Sequence, residues 1–205
     1  MKNTFSTTHY LLILDRSGSM QSCWNSTMNA LEKQIKSISS LADENPELPI
    51  STNVVLFSTD MERILENADV KQLNAFKKST LEPYGGTALL DAVGTSLHRL
   101  KSVMKPDDDA VVVILTDGEE NSSTVYSYSE IEKLITRLKE TNKWKFTLLG
   151  ADFDAFKSIG SRVGFHDREV LNYSKANTNQ TFDSLSSDFS RIIENKKSGK
   201  GLFSK

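Results

Sequence analysis

The chain has 205 residues, of which 38% are hydrophobic and 25% charged, so it can bury one substantial core and has the make-up of an ordinary globular protein. A formal charge of −2 gives no electrostatic case for nucleic acid or for an anionic membrane surface. The single Cys23 excludes an internal disulfide and fits a reducing compartment. Residues 1–9 are polar and no apolar run reaches membrane-spanning length, so the default expectation is a cytoplasmic protein.

Strand and helix patterns alternate along the chain. Leu11–Leu14 reads as a buried strand, and Trp24, Met28, Leu31, Ile35, Ile38 and Leu41 then recur at helical spacing. Cys23 reads as a small core-facing residue at that helix start. Asn45-Pro46 and Pro49 mark a loop before a strand over Asn53–Phe57, and Met61–Leu65 reads as its antiparallel return. Val70, Leu73 and Phe76 suggest a modest helix. The Pro83–Gly86 turn leads into a stronger one carrying Leu89, Val93, Leu97, Leu100 and Met104.

After Asp107–Asp109 comes the strand Ala110–Thr116. Ser129 and Glu132 have capping-box spacing ahead of Ile131, Leu134, Ile135 and Leu138. Trp144–Leu149 is another apolar run ending at Gly150, and Phe153, Phe156 and Ile159 suggest a short helix stopped near Gly160 and Gly164. Val170–Tyr173 reads as a last edge strand. Phe182, Leu185, Phe189 and Ile192 give a final amphipathic helix. From Asn195 the composition turns to Lys, Ser and Gly around an isolated Leu202-Phe203. The expectation is one domain over residues 1–195 and a disordered basic tail over 196–205. Near-continuous apolar strands separated by helices imply an α/β fold: a mostly parallel central sheet, one short antiparallel edge strand, and helices on both faces.

The chemistry concentrates where strands end. Asp15, Ser17 and Ser19 follow the first strand at alternate positions, and all three are oxygen ligands. Hard cations such as Mg²⁺ and Mn²⁺ prefer oxygen, whereas zinc more often takes His and Cys. Open α/β sheets bind ligands at the carboxyl ends of their strands. Thr87, after Gly85-Gly86, adds a hydroxyl, and Asp117-Gly118 ends the strand Ala110–Thr116. Asp15 and Asp117 share one sheet edge if their strands are parallel neighbours. Singly, the hydroxyls read as turn formers or helix caps and Asp117-Gly118 as a plain turn. Together the five side chains point to a divalent cation.

These motifs, Asp15-x-Ser17-x-Ser19, Gly85-Gly86-Thr87-Ala88-Leu89 and Thr116-Asp117-Gly118-Glu119-Glu120-Asn121, resemble the von Willebrand factor A domain family, and most closely its intracellular and prokaryotic branches. Their order and spacing match from about His9 to Ile193. The resemblance implies a Rossmann-like domain with a metal-ion-dependent adhesion site. There Ser17 and Ser19 would bind Mg²⁺ (or Mn²⁺ or Ca²⁺) directly, and Asp15, Thr87 and Asp117 directly or through water. It also implies a non-enzymatic module whose cation is completed by an Asp or Glu of a protein partner. Such a module would be a monomer on its own, acting as an adaptor or scaffold subunit. Glu119, Glu120, Asn121, Arg16, Ser22 and Tyr84 are candidates for the rim. Family members can couple the site to movement of the last helix, here about Thr178–Glu194.

The rival reading is a Mg²⁺-dependent phosphotransferase or hydrolase with a strand-end aspartate as nucleophile. Ser17 stands where haloacid-dehalogenase-like enzymes need a second aspartate. Neither G-x-S-x-G nor a phosphate-binding G-x-x-x-x-G-K-[ST] loop occurs, and His9, His98 and His166 are scattered with no H-E-x-x-H.

Overall fold

The computed structural model describes residues 5–69, 71–72, 82–150, 159–173 and 176–200. Six strands, β1 (Thr8–Asp15), β2 (Ile50–Phe57), β3 (Met61–Ala68), β4 (Asp109–Thr116), β5 (Trp144–Gly150) and β6 (Val170–Asn172), form one sheet in the order β3-β2-β1-β4-β5-β6. The β2–β3 pair is antiparallel and the other pairs are parallel. Helices α1 (Trp24–Glu44) and α4 (Thr178–Lys197) cover one face; α2 (Leu89–Val103) and α3 (Tyr128–Glu140) cover the other. This is the α/β architecture read from the alternating patterns.

Every residue of β1 is buried, because successive side chains enter different cores. Tyr10, Leu12 and Leu14 pack with Met28, Leu31 and Ile35 of α1 and with Phe182 and Phe189 of α4. Leu11 and Ile13 pack with Leu97 of α2 and Ile135 of α3. Buried polar groups tie the first layer together: Gln34 Nε2 donates to the Tyr10 hydroxyl at 3.1 Å, and Ser186 Oγ donates to Gln34 Oε1 at 2.5 Å. Cys23 is buried just before α1, as expected.

Several boundaries move. The capping box of α3 is Ser127 with Glu130, not Ser129 with Glu132. Both pairs have the same spacing, but only Ser127 has extended backbone ahead of the helix, whereas Ser129 lies inside the first turn. Gly160 sits within the helical residues 159–162; Gly164, at φ +83°, follows them in the left-handed region. Strand β3 runs three residues beyond Leu65. Helix α4 continues to Lys197, with Lys196 Nζ 3.0 Å from Asp109 Oδ2. Of the helix expected around Val70, Leu73 and Phe76, only residues 71–72 are described, and they are helical. Phe153, Phe156 and residues 201–205 lie outside the described residues.

Gly94 of α2 is fixed by packing: a Cβ there would sit 2.6 Å from the Tyr126 ring. An alanine inside a helix normally gains about 1 kcal/mol over glycine, whereas overpacking costs about 1–3 kcal/mol. Gly94→Ala is therefore expected to lower stability by about 1–2 kcal/mol, read as a lower urea midpoint with unchanged slope.

Candidate metal centre

The site is built at the carboxyl end of the two central strands. Parallel pairing of β1 with β4, in register at Leu14 and Leu115, brings the chain segments after Asp15 and Thr116 side by side. Asp15 has 0% exposure, and both its oxygens are engaged. Oδ1 accepts the Ser17 N–H at 2.6 Å, and Oδ2 accepts the Thr116 hydroxyl at 2.5 Å. The first bond curls the chain so that Ser17 Oγ lies 3.0 Å from Ser19 Oγ. Ser19 Oγ in turn donates to Asp117 Oδ1 at 2.6 Å.

Thr87 arrives from the loop before α2. Gly18 N donates to Gly85 O at 3.1 Å. Thr87 N donates to Asn121 Oδ1 at 2.9 Å, and Thr87 O accepts the N–H groups of Asn121 and Ser122. Gly85 has a φ of +74°, a conformation open to glycine, and a Cβ on Gly86 would collide with Ser122. The close approach of these loops is therefore written in the glycine pair.

Gly118 reports on the space between the donors. A Cβ there would lie 3.1 Å from Thr87 Oγ1, 3.3 Å from Ser19 Oγ and 3.9 Å from Ser17 Oγ. Three hydroxyls thus face one small volume, with Asp117 hydrogen-bonded to one of them. Among the described residues, no three His, Cys, Asp or Glu side chains cluster as a metal site; the donors here are two carboxylates and three hydroxyls. Such an all-oxygen set suits a hard divalent cation.

The electrostatics point the same way. Burial pushes the Asp15 carboxyl up to about 6, with the negative charge of Asp117 adding to it, while the bonds from Thr116 and Ser17 hold it down. Burial also raises Asp117. Among the described residues neither carboxylate has a Lys, Arg or His ion pair. Arg16, next in sequence, turns away: its guanidinium lies 3.3 Å from Glu62, 3.4 Å from Asp60 and 3.0 Å from the Tyr84 hydroxyl.

The rim differs from expectation. Glu120 does not face outward as a free carboxylate: Oε1 accepts the N–H groups of Ser122 and Ser123, and Oε2 accepts the Leu90 N–H and the Ser123 hydroxyl. Asn121 is spent on Thr87 N and Ser122 Oγ. Glu120 fastens the loop to the first turn of α2, and Asn121 fastens it to Thr87 just before that helix. Tyr84, Glu119 and Ser22 are exposed, whereas Arg16 is buried and supports Tyr84, its guanidinium carbon 4.8 Å from the ring centre. Thr116, which fixes Asp15, carried no role in the sequence reading because threonine is common in strands. A nucleophilic carboxylate must reach its substrate, and the buried, doubly bonded Asp15 does not fit the hydrolase reading.

A model of the von Willebrand factor type A domain matches residues 10–120, more than half of the chain. The chain belongs to that family. No curated protein sequence matches it. Solved structures with the same fold include the PilB minor pilin from Streptococcus sanguinis, at 19% identity and TM-score 0.61 over 92% of this chain and 62% of that one. Another is the von Willebrand factor domain of the pili tip protein Mfa5 from Porphyromonas gingivalis, at 10% identity and TM-score 0.69 over 90% and 95%. A third is proximal thread matrix protein 1 from the mussel byssus with a zinc-occupied metal-ion-dependent adhesion site, at 15% identity and TM-score 0.61 over 89% and 48%. The chain spans less than two thirds of the length of the PilB protein, and identities this low speak for the fold alone.

Domains of the von Willebrand A family often mediate protein–protein interactions and metal-dependent binding, and the mussel byssus protein carries zinc at its metal-ion-dependent adhesion site. The cytoplasmic expectation is corrected: pilin and pilus-tip proteins of bacterial surfaces share this fold. One cysteine and a lack of long apolar runs exclude a disulfide framework and a spanning helix; neither property distinguishes the two sides of a membrane.

A carboxyl whose folded pKa is raised favours the folded state when protonated. In metal-free protein the Asp15 contribution is therefore most favourable below about 4 and is lost as the pH rises through about 6. Urea unfolding in EDTA should show Asp15→Asn gaining on the natural protein by about 2 kcal/mol between pH 4.5 and pH 7. A gain that is the same at both pH values would contradict the raised pKa.

Proposed function

We propose that residues 1–195 form one binding module whose centre is a divalent cation held by Asp15, Ser17, Ser19, Thr87 and Asp117. Mg²⁺ or Mn²⁺ suits the hydroxyl-rich donor set best, with Ca²⁺ as a further possibility. The observation that supports this reading is the convergence of the Ser17, Ser19 and Thr87 hydroxyls on the space beside Gly118, next to the buried Asp15 and half-buried Asp117 carboxylates, neither of which has a cationic partner among the described residues. A bound cation supplies a Lewis-acidic centre that accepts a carboxylate oxygen from a partner protein.

The residues divide the work. Asp15 supplies negative charge and, through the Ser17 N–H, orients the hydroxyl pair. Thr116 fixes the Asp15 carboxylate in turn, so a rigid strand end positions the donors. Neutral hydroxyls leave the centre electrophilic, which favours an incoming Asp or Glu side chain over a neutral group. Tyr84, 45% exposed and braced by Arg16 and Asp60, gives that partner an aromatic contact. The module recognises and docks, as an adaptor or scaffold subunit would, and is itself a monomer.

Calorimetry with Mg²⁺ and Mn²⁺ tests the proposal. The natural protein should bind one ion, more tightly when acetate is present. Asp15→Ala should abolish the binding, and Gly118→Ala should weaken it at least about tenfold by filling the space between the hydroxyls. Unfolding curves keep loss of fold apart from loss of binding. Folded Asp15→Ala with unchanged metal affinity would overturn the assignment.

A further inference from the structure

The loops around the metal centre carry mostly negative charge. Asp60 after β2, Glu62 in β3, Glu82 before α2 and Glu119 after β4 are all exposed. Arg16 is the one cation of the segment between β1 and α1. Its Nη2 donates to Asp60 Oδ1 at 3.4 Å and its Nη1 to Glu62 Oε2 at 3.3 Å. One guanidinium thus faces two carboxylates and leaves a negative charge over. That charge lies outermost, since the Arg16 side chain is 4% exposed, that of Asp60 65% and that of Glu62 48%. Among the described residues neither Glu82 nor Glu119 has a Lys or Arg ion pair.

This patch adjoins the metal donors. Tyr84 N donates to Arg16 O at 2.9 Å, and Gly86 N donates to Thr59 Oγ1 at 2.9 Å. The loop that brings Thr87 is therefore tied both to the strand end carrying Ser17 and to the turn carrying Asp60. The Tyr84 hydroxyl donates to Asp60 Oδ1 at 2.5 Å, and this bond holds the Asp60 carboxyl below the usual carboxylate range, so it stays ionised. The Arg16 guanidinium lies over the Tyr84 ring, yet that residue keeps 45% of its surface in solvent. An exposed aromatic ring bordered by ionised carboxylates matches a guanidinium, which stacks on the one and pairs with the other.

An incoming carboxylate meets this negative rim before it reaches the cation. We propose, on the cation-centred reading above, that the docking segment of the partner protein joins an Asp or Glu for the cation to an Arg a few residues away, whose guanidinium settles on Tyr84 beside Asp60 and Glu62. The acid supplies the metal ligand, and the Arg offsets the rim and sets the direction in which the segment lies. Extended chain advances about 3.3 Å per residue, so a spacing of about two to four residues bridges neighbouring loops. A polyacidic segment or a nucleic acid brings no such cation and is repelled.

The test titrates blocked peptides into the Mg²⁺-loaded protein by calorimetry. Three peptides differ at two positions: one carries Asp with Arg, one Asp with Glu in place of the Arg, and one Asn with Arg. The Asp–Arg peptide should bind at least about tenfold more tightly than either of the others. Its lead over the Asp–Glu peptide should shrink as NaCl rises from about 50 to about 500 mM, and EDTA should abolish its binding. Asp60→Asn with Glu62→Gln should erase that lead. Glu62→Gln alone, at an exposed strand position, should reduce it, and unfolding curves check the fold of both variants. Four results would overturn the proposal while leaving the cation in place: equal binding of the Asp–Arg and Asp–Glu peptides, a lead that survives in the folded variants, no binding of either peptide at millimolar concentration to protein that takes up Mg²⁺, or self-association of the protein on adding Mg²⁺. Failure of the natural protein to take up Mg²⁺ at all would instead remove the cation-centred reading itself.

Discussion

A carboxylate with no exposed surface must be held by hydrogen bonds, and here that carboxylate is Asp15, locked between the Ser17 N–H and the Thr116 hydroxyl. The lock joins the ends of the two central strands, so it depends on the β1–β4 register, and the hydroxyl pair depends on it. Burial without a cationic partner makes the ionised form costly. The fold accepts that cost at the end of its best-packed strand, where all other side chains of β1 are buried. An uncompensated cost of this kind in an otherwise consistent structure marks a candidate functional site.

Around this centre the loops are fastened to one another rather than left to solvent. Glu120 ties the segment after β4 to the start of α2, Asn121 clips onto Thr87, and Gly18 meets Gly85. Arg16, Asp60 and Tyr84 form a second brace on the β2 side. The donors are thus held before any ligand arrives, which reduces the ordering cost of binding. Tyr84, Glu119, Ser22 and Asn121 of the expected rim are exposed, with the Asn121 side-chain oxygen already engaged by Thr87 and Ser122.

Much of this was legible in the sequence, for physical reasons. Strands buried on both faces read as continuous apolar runs, so Leu11–Leu14 and Val111–Leu115 declared themselves and put Asp15 and Asp117 at one edge. What stayed hidden depends on partners distant in sequence. Glu120 reads as surface charge until its bonds to Leu90 and Ser123 are seen, and Thr116 reads as a strand residue until it meets Asp15. Two equally spaced Ser–Glu pairs near α3 differ only in backbone conformation, which spacing does not encode. Compartment was misjudged because it leaves no mark in packing; only signals and partners carry it.

The most direct measurement is anomalous diffraction from crystals grown with Mn²⁺. The account predicts one strong peak enclosed by the Ser17, Ser19 and Thr87 hydroxyls and the Asp117 carboxylate, absent in Asp15→Ala crystals. No peak there, or an undiminished peak in the variant, would contradict it.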